Sequence, residues 1–414
     1  MFYEFGIKNF HKMLKINDLR HFLGTRMWSF CGKVVVSVAL SAFLGSCGTE
    51  NVEKRSLSEL PSLEYSRNLR LGDLHGESVA EIRSIVGRDT LVRRFVLRNP
   101  GDEREIPREL SGSTILQVPL QRVAALSSSH IGYMLRLGLS DRIVGVCEGK
   151  YVVDSALYHR VKSGEVAEVG NGPSLQLERL VLLAPDLVLN FATGGEHDDY
   201  GRIAALGLPL MLTSEWQEEN PLAKLEWIKL FGKLFGVESR ADSVYEQGKN
   251  EYLEVARLSE SVPESERPRV IVGASYGGIW YAPGGSSYTA QLVKAAGGRY
   301  LWASDTSREL RFSLEEIVQW SDSADVWVNP GMFSNSEDIV AAEPRMAYLK
   351  AFRDRRVCQN DGRKGPGGGN DFYESAVTFP AEVAKDLREC LNNATNTPVS
   401  RGRAFDWYHN IFIF

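Results

Sequence analysis

The chain has 414 residues and a net charge of −5, with 43% apolar and 24% charged residues. That length holds two or three domains at ~150 residues each, in an ordinary globular composition. The acidic balance, with no basic stripe carrying interleaved aromatics, excludes a nucleic-acid footprint, and the five cysteines form no C-x-x-C pair, which argues against a zinc or thioredoxin-type motif.

In chain order, Lys33 precedes an apolar run, Val34 to Leu44, followed by Gly45-Ser46-Cys47. A positive start, a short apolar stretch and small residues at its end predict a secretory signal over 1–46. At about eleven residues the run is too short to span a bilayer, which takes ~20. Residues 1–26 are long and mixed for a signal, and a start at Met27 gives one of ordinary length. Residues 47–61 are polar and read as a tether. Once Cys31 is removed and Cys47 modified, Cys147, Cys358 and Cys390 remain. Three cysteines allow one disulfide with a free thiol, or three buried unpaired thiols.

An N-terminal lobe is predicted over 62–235. Its first part, 62–120, reads as short strands. Strands near 122–126, 143–146, 186–190 and 209–213 then alternate with helices, which predicts a parallel sheet covered on both faces. Asn220-Pro221 offers an N-cap and a first-turn proline for a helical stretch that Gly236 breaks. A long polar helix, about Ser239 to Leu258 within 236–262, links the lobes. Pro263 to Pro268 ends it. A C-terminal lobe over 263–395 carries strands near 269–274, 300–303, 325–329 and 356–358, a Gly-rich loop at Gly365 to Asn370, and a last helix from about Ala381 to Leu391. Residues 396–414 read as a tail with one apolar strand-like end.

One segment occurs twice. Leu177-Glu178 and Asp186 to Asn190 match Leu314-Glu315 and Asp325 to Asn329. Arg122 to Ser128 matches Arg269 to Ser275, and each copy continues to a Gly-ended helix and a second strand. A repeat of over a hundred residues predicts two similar lobes across a cleft rather than a solenoid. The fold class is therefore α/β, two Rossmann-like lobes joined by one long helix.

From about Pro119 to Leu391 the sequence resembles the helical-backbone class of substrate-binding proteins of ABC importers. The carrying segments are the strand leading to Ser127-Ser128-Ser129-His130, Asp141 to Val146, Val169-Gly170, Leu177-Glu178 with Ala184-Pro185-Asp186, and Leu206 to Pro209. Glu215-Trp216, Pro221-Leu222, Glu226-Trp227 and Gly369 to Ser375 look like the Bacteroides-type lipoprotein branch. The resemblance implies a periplasmic monomer, lipid-anchored to a membrane through Cys47. It implies capture of an iron-siderophore, haem or cobalamin and delivery to the permease dimer of an importer. One Glu at the top of each lobe, Glu178 and Glu315, would dock on permease arginines, and their matching places in the repeat support this independently.

Ligands of doubly wound lobes sit at the carboxyl ends of the strands. That rule selects loops carrying Ser128, His130, Tyr151, Asn171 and Phe191 in the first lobe, and Tyr276, Trp280, Tyr281, Phe333, Asn370, Phe372 and Tyr373 in the second. Their aromatics suit a flat macrocycle or catechol-like chelate. Residues 268–395 hold no His, so a two-lobed His metal site is not expected, and no cofactor is. The cluster Arg353, Arg355, Arg356, Arg363 and Lys364 favours an anionic ligand or is a solvated face. No G-x-S-x-G elbow or phosphate loop points to an enzyme. The alternative is a porphyrin-binding chelatase, which needs a His/Glu pair at the metal, for which only His130 is placed.

Overall fold

The two copies of the repeat fold into two sheets with the same strand order. The computed structural model describes residues 60–171, 174–195, 198–392 and 407–412. The expected signal, Cys47 and all of the expected tether but Leu60 and Pro61 lie outside them. Ahead of the first lobe, β1 (Leu69–Leu74), β2 (Glu77–Val86), β3 (Asp89–Arg98) and β4 (Thr114–Gln117) form a four-stranded sheet of their own. In the first lobe, β5 (Val123–Ala125), β6 (Ile143–Cys147), β7 (Ala167–Asn171), β8 (Ser174–Leu175), β9 (Leu187–Asn190) and β10 (Leu210–Leu212) lie in the order β10-β9-β5-β6-β7-β8. In the second, β11 (Arg269–Val272), β14 (Arg299–Tyr300), β16 (Val326–Val328), β17 (Val357–Gln359) and β18 (His409–Asn410) lie in the order β14-β11-β16-β17-β18. In each lobe the repeat's first strand, β5 or β11, sits between its second, β6 or β14, and its third, β9 or β16.

The registers repeat as well. Val123 pairs with Leu187, and Val270 with Val326. Asp186 accepts the backbone N–H groups of Gln121 and Arg122 at 2.8 Å, and Asp325 accepts that of Arg269 at 2.9 Å. One Asp therefore closes the start of the central strand in both lobes. Its position in the repeated sequence is explained by an N–H group that no neighbouring strand would satisfy.

The lobes carry α1 (Ser128–Arg136), α2 (Ser155–Lys162), α3 (Leu177–Leu183) and α4 (Tyr200–Ala205) in the first. Then come α5 (Pro221–Glu226), α6 (Ile228–Phe235) and the linking helix α7 (Glu238–Glu260). Asn220 caps α5 by accepting from Leu222 N, and Gly236 ends α6 in the left-handed region, both as the sequence predicts. At 1.5 Å per residue the 23 residues of α7 span about 34 Å. Ala241, Tyr245, Tyr252, Val255 and Ser259 form its buried stripe. The stripe packs on α6 at one end and, at the other, on α8 (Tyr288–Ala295) and the last helix (Pro380–Asn392). One continuous core holds Val123 and Leu187 of the first lobe, Phe231 and Tyr245 beside it, and Val270, Leu292 and Leu387 of the second.

Three findings differ from the sequence reading. Residues 62–120 do not merely lead into the lobe: β2 and β3 are ten residues each and pair antiparallel throughout. The strand-like end expected in the tail is part of the lobe itself: β18 extends the second sheet, and Trp407 and Tyr408 are buried. The second lobe also holds an antiparallel sheet of β12 (Ala274–Tyr276), β13 (Ile279–Pro283) and β15 (Glu309–Ser313). Of the cysteine alternatives, the structure has the disulfide Cys358–Cys390, which ties β17 to the last helix. Cys147 stays free, its thiol pushed up to about 12 by burial.

Buried carboxylates hold the first sheet to the lobe. Glu226 accepts the N–H groups of Glu64, Tyr65 and Ser66 at 2.8–2.9 Å. Glu218 accepts those of Arg67 and Asn68, and the Trp227 indole N–H at 3.1 Å. Removing such an acceptor leaves buried donors unsatisfied at about 1–3 kcal/mol each. Glu226→Ala is therefore expected to destabilise the protein by about 3 kcal/mol or more in urea unfolding, whereas Glu246→Ala on the exposed side of α7 should cost under about 1 kcal/mol.

Candidate functional site

The carboxyl ends of β5, β6, β9 and β10 carry the rim of the first lobe. Ser128 opens α1 and is half-buried. Its neighbour Ser129 donates to Glu215 Oε1 at 2.6 Å, and Ser127 and Ser129 hydroxyls are 2.9 Å apart. His130 is fully buried, which corrects the expectation that it faces the ligand. Its Nε2 lies 2.7 Å from Thr213 Oγ1 and 3.8 Å from Glu215 Oε1. Burial holds its imidazole below the ordinary pKa, against the pull of Glu215 and the Leu189 backbone. Phe191 follows β9 and is half-buried, its N–H on Asn190 Oδ1. Asn171 ends β7.

Trp280 is corrected too. It is fully buried on β13, where its N–H donates to Val272 O at 3.1 Å and its ring lies 5.4 Å from that of Trp327. These two rings anchor the second lobe's own core with Ile271, Leu310 and Met346. A turn-rich context made Trp280 look like a loop residue, whereas alternation along β13 sends it inward. Tyr281, next to it, stays half-buried, 6.3 Å from the Tyr276 ring and with the Arg311 guanidinium above it.

The remaining aromatics gather in two groups. Tyr276 and Phe333 flank Gly331, where an added Cβ would lie 2.8 Å from Tyr276 Oη and 3.7 Å from the Phe333 ring. Beside them Met332 is 54% exposed. In the second group Phe372 is the centre, its ring 5.7 Å from Tyr373, 6.4 Å from Tyr288 and 5.8 Å from Tyr408. Tyr373 is 41% exposed. Asn370 accepts from Phe372 N at 3.0 Å and so shapes this turn rather than projecting freely.

The Gly-rich loop explains how the second group reaches the first lobe. A Cβ on Gly367 would lie 2.0 Å from Lys150 O, and one on Gly369 1.9 Å from Tyr151 O. Only glycine lets this backbone lie directly on Gly149 to Val153. Glu374 completes the contact, accepting Val153 N at 2.9 Å and Asp154 N at 3.1 Å. Burial pushes its carboxyl up to about 7, against those two N–H groups. Tyr151, with Lys150 Nζ 4.5 Å above its ring, thereby sits beside Asn370 to Tyr373 across the lobe boundary.

Sequence reading missed a second bridge. Lys224 on α5 is half-buried with its Nζ 4.2 Å above the ring of Tyr288, which opens α8 in the other lobe. Tyr133 Oη donates to Lys224 O, and Ser286 Oγ to Glu219 Oε1 at 3.3 Å. A helical lysine among leucines gave no signal, because its meaning lies in the facing lobe. The basic cluster is spent locally. Arg363 pairs with Asp371 at 2.9 Å, Lys364 with Asp361 at 2.6 Å, and Arg356 donates to Leu391 O.

Glu178 and Glu315 occupy the second position of α3 and of α9 (Leu314–Gln319). Both are exposed. Glu178 has no partner among the described residues, whereas Glu315 pairs with Arg345, which also grips Glu343 at 2.8 Å. Among the described residues no His, Cys, Asp and Glu group has the geometry of a metal site, and no helix is long and apolar enough to cross a membrane.

Burial lowers the Lys224 pKa to about 8, opposed by Glu215 and Glu218. The unfolded lysine stays protonated to about 10.5. Between these values the unfolded chain binds a proton that the folded one does not, so stability rises with pH. Lys224→Met is expected to remove about 1–2 kcal/mol of that rise, read from urea unfolding of both proteins at pH 7.5 and 10. Equal rises in the two would show that Lys224 stays fully solvated.

Comparison with known proteins agrees with this architecture. An uncharacterized lipoprotein of Methanocaldococcus jannaschii is 22% identical over 320 residues, 73% of this chain and 73% of its own. A vitamin B12-binding protein of Vibrio campbellii is 19% identical over 217 residues, 51% of this chain and 72% of its own. The crystal structure of a periplasmic heme binding protein from Pseudomonas aeruginosa shares the fold, with a TM-score of 0.50 at 18% identity over 65% of this chain and 92% of that one. The periplasmic binding protein family model matches residues 123–363, which cover the first lobe's sheet, the helix between the lobes and the second lobe up to the Gly-rich loop. This chain therefore belongs to the periplasmic binding protein family, whose members are solute-binding proteins and not enzymes.

Proposed function

We propose that this protein is the lipid-anchored receptor of an ABC importer, capturing a bulky chelate or corrinoid between its lobes and passing it to the permease. The observation that carries this reading is the pairing of two lobes whose four matching strands lie in the same order. Their strand ends present half-buried and exposed aromatics, Tyr151, Phe191, Tyr276, Phe333 and Tyr373, around the lobe boundary. Such rings give large contact area at low entropic cost, which suits a flat, bulky ligand. Relatives named for vitamin B12 and for heme support the ligand class, and a relative named as a lipoprotein supports the anchor at Cys47. The chelatase alternative is not favoured: His130 and Glu215 are both buried and engaged with Thr213 and Ser129.

Tryptophan-fluorescence titration of the chain from Gly48 onward tests this against cyanocobalamin, haemin, ferric citrate and ferrioxamine B. Trp216, half-buried on the rim after β10, is a local reporter. Saturable submicromolar binding of one ligand is expected. Silence across the panel would refute the class of ligand proposed.

Glu178 and Glu315 are the proposed docking pair. Two separated carboxylates on an exposed face give orientation to a reversible complex with a basic partner. Glu178→Ala with Glu315→Ala is expected to abolish uptake in cells while ligand affinity stays within about twofold. Loss of affinity in the purified double variant would place these residues in the binding site instead.

A further inference from the structure

The four-stranded sheet of β1 to β4 lies wholly before residue 123, outside the part of the chain that the family model matches. Its distal half is anchored along the rim of the first lobe. Ser214 Oγ, just after β10, donates to Arg83 O at 2.7 Å. Gln217 brackets Ile85, accepting its N–H at 2.9 Å and donating to its carbonyl at 2.7 Å. Gly87 N donates to Thr193 O in the loop after β9 at 3.3 Å. Val86 and Leu91 pack with Ala192 and Leu212.

The tip itself rests on a glycine contact. An added Cβ on Gly194, whose φ is +83°, would lie 2.0 Å from Gly87 N. The underlying loop is held in turn by Asp198, which accepts Thr193 N at 2.8 Å and Gly194 N at 2.6 Å. These contacts set the hairpin tip, the turn Gly87-Arg88 with Asp89 and Thr90 after it, over the carboxyl ends of β9 and β10. All four residues are exposed. Arg88 points its guanidinium at no hydrogen-bonding, ionic or aromatic partner among the described residues. Asp89 is adjacent in sequence, and the Asp198 carboxylate is occupied by the loop it holds.

We infer that this hairpin tip is an added wall of the ligand cleft, and that Arg88 is a specificity-determining residue that takes a carboxylate or other anionic group at the ligand's periphery. The inference rests on the reading of the lobe boundary as the ligand site. It extends that reading by giving the ligand a sign of charge. A guanidinium binds a carboxylate through two parallel N–H donors, and a ligand half-enclosed by a rim strengthens that pair relative to open water. A free arginine held over the strand ends by three hydrogen-bonded anchors is placed for that contact. An arginine on a loose loop would lose much of it to ordering entropy.

The test titrates the chain from Gly48 onward and its Arg88→Ala and Arg88→Lys variants with anionic haemin and ferric citrate, neutral haemin dimethyl ester and cyanocobalamin, and cationic ferrioxamine B. The wild type is expected to prefer an anionic ligand. Arg88→Ala should weaken that ligand about tenfold and leave neutral ones within twofold, with Arg88→Lys between. Unchanged thermal unfolding of both variants is expected for an exposed side chain and separates lost contact from lost fold. Preference for a neutral or cationic ligand, or less than twofold loss in Arg88→Ala, overturns the inference while leaving the receptor reading in place. A wild type that binds nothing in the panel overturns both.

Discussion

A backbone N–H withdrawn from a strand or helix ladder needs an acceptor, and at several junctions of this molecule that acceptor is a carboxylate. Asp186 and Asp325 close the central strand of each lobe. Glu226 and Glu218 collect the N–H groups of 64–68 and fix the first sheet. Glu374 collects two N–H groups of the first lobe from a loop of the second. A carboxylate with its charge spread over several N–H donors gains more than a neutral acceptor would, and it makes the junction depend on one side chain. The start of each central strand, the seating of the first sheet and the contact between the lobes each rest on one of these junctions.

The arrangement of the lobes was legible in the sequence because duplication leaves the same residues at the same structural duties. Asp186 and Asp325, Glu178 and Glu315, and the glycines after α1 and α8 could be matched without coordinates. Strands were legible over 62–120, but their length and their pairing into one sheet were not. Odd residues of β2 such as Glu77, Val79 and Glu81 face a small outer cluster, while Ala80 and Ile82 face the lobe, and all are buried. Burial on both faces removes the polar alternation that marks a strand. Its outer charges look solvent-facing in sequence, yet Glu77 and Arg98 form a buried two-bonded pair at 2.7–2.9 Å.

The candidate site was half legible for a related reason. Loops at strand ends can be chosen by rule, and the rule selected Tyr151, Phe333, Phe372 and Tyr373. It cannot tell which side chain turns inward, so beside these rings, which the fold leaves half-buried or exposed, it also selected the fully buried Trp280 and His130. Nor can it see contacts made between lobes. Lys224 and Tyr288 are 64 residues apart in the chain and belong to helices with ordinary patterns. Only the folded boundary makes the pair a bridge, and only burial there explains why the lysine's charge is disfavoured.

The same boundary constrains how the lobes move. A two-lobed receptor hinged on flexible strands opens by rotation, but here α7 runs through the common core and the Gly-rich loop lies backbone to backbone on Lys150 to Val153. Opening that contact would strip Glu374 of its two donors and re-expose the glycines' close packing, which opposes a wide hinge motion of the lobes. A preformed site discriminates by what lines its rim rather than by how far it folds around its guest. That is why a sheet outside the matched family region matters. The first lobe supplies short loops, and the hairpin from residues 83 to 92, held by Ser214, Gln217 and Thr193, adds wall and charge to them without loosening the lobes themselves.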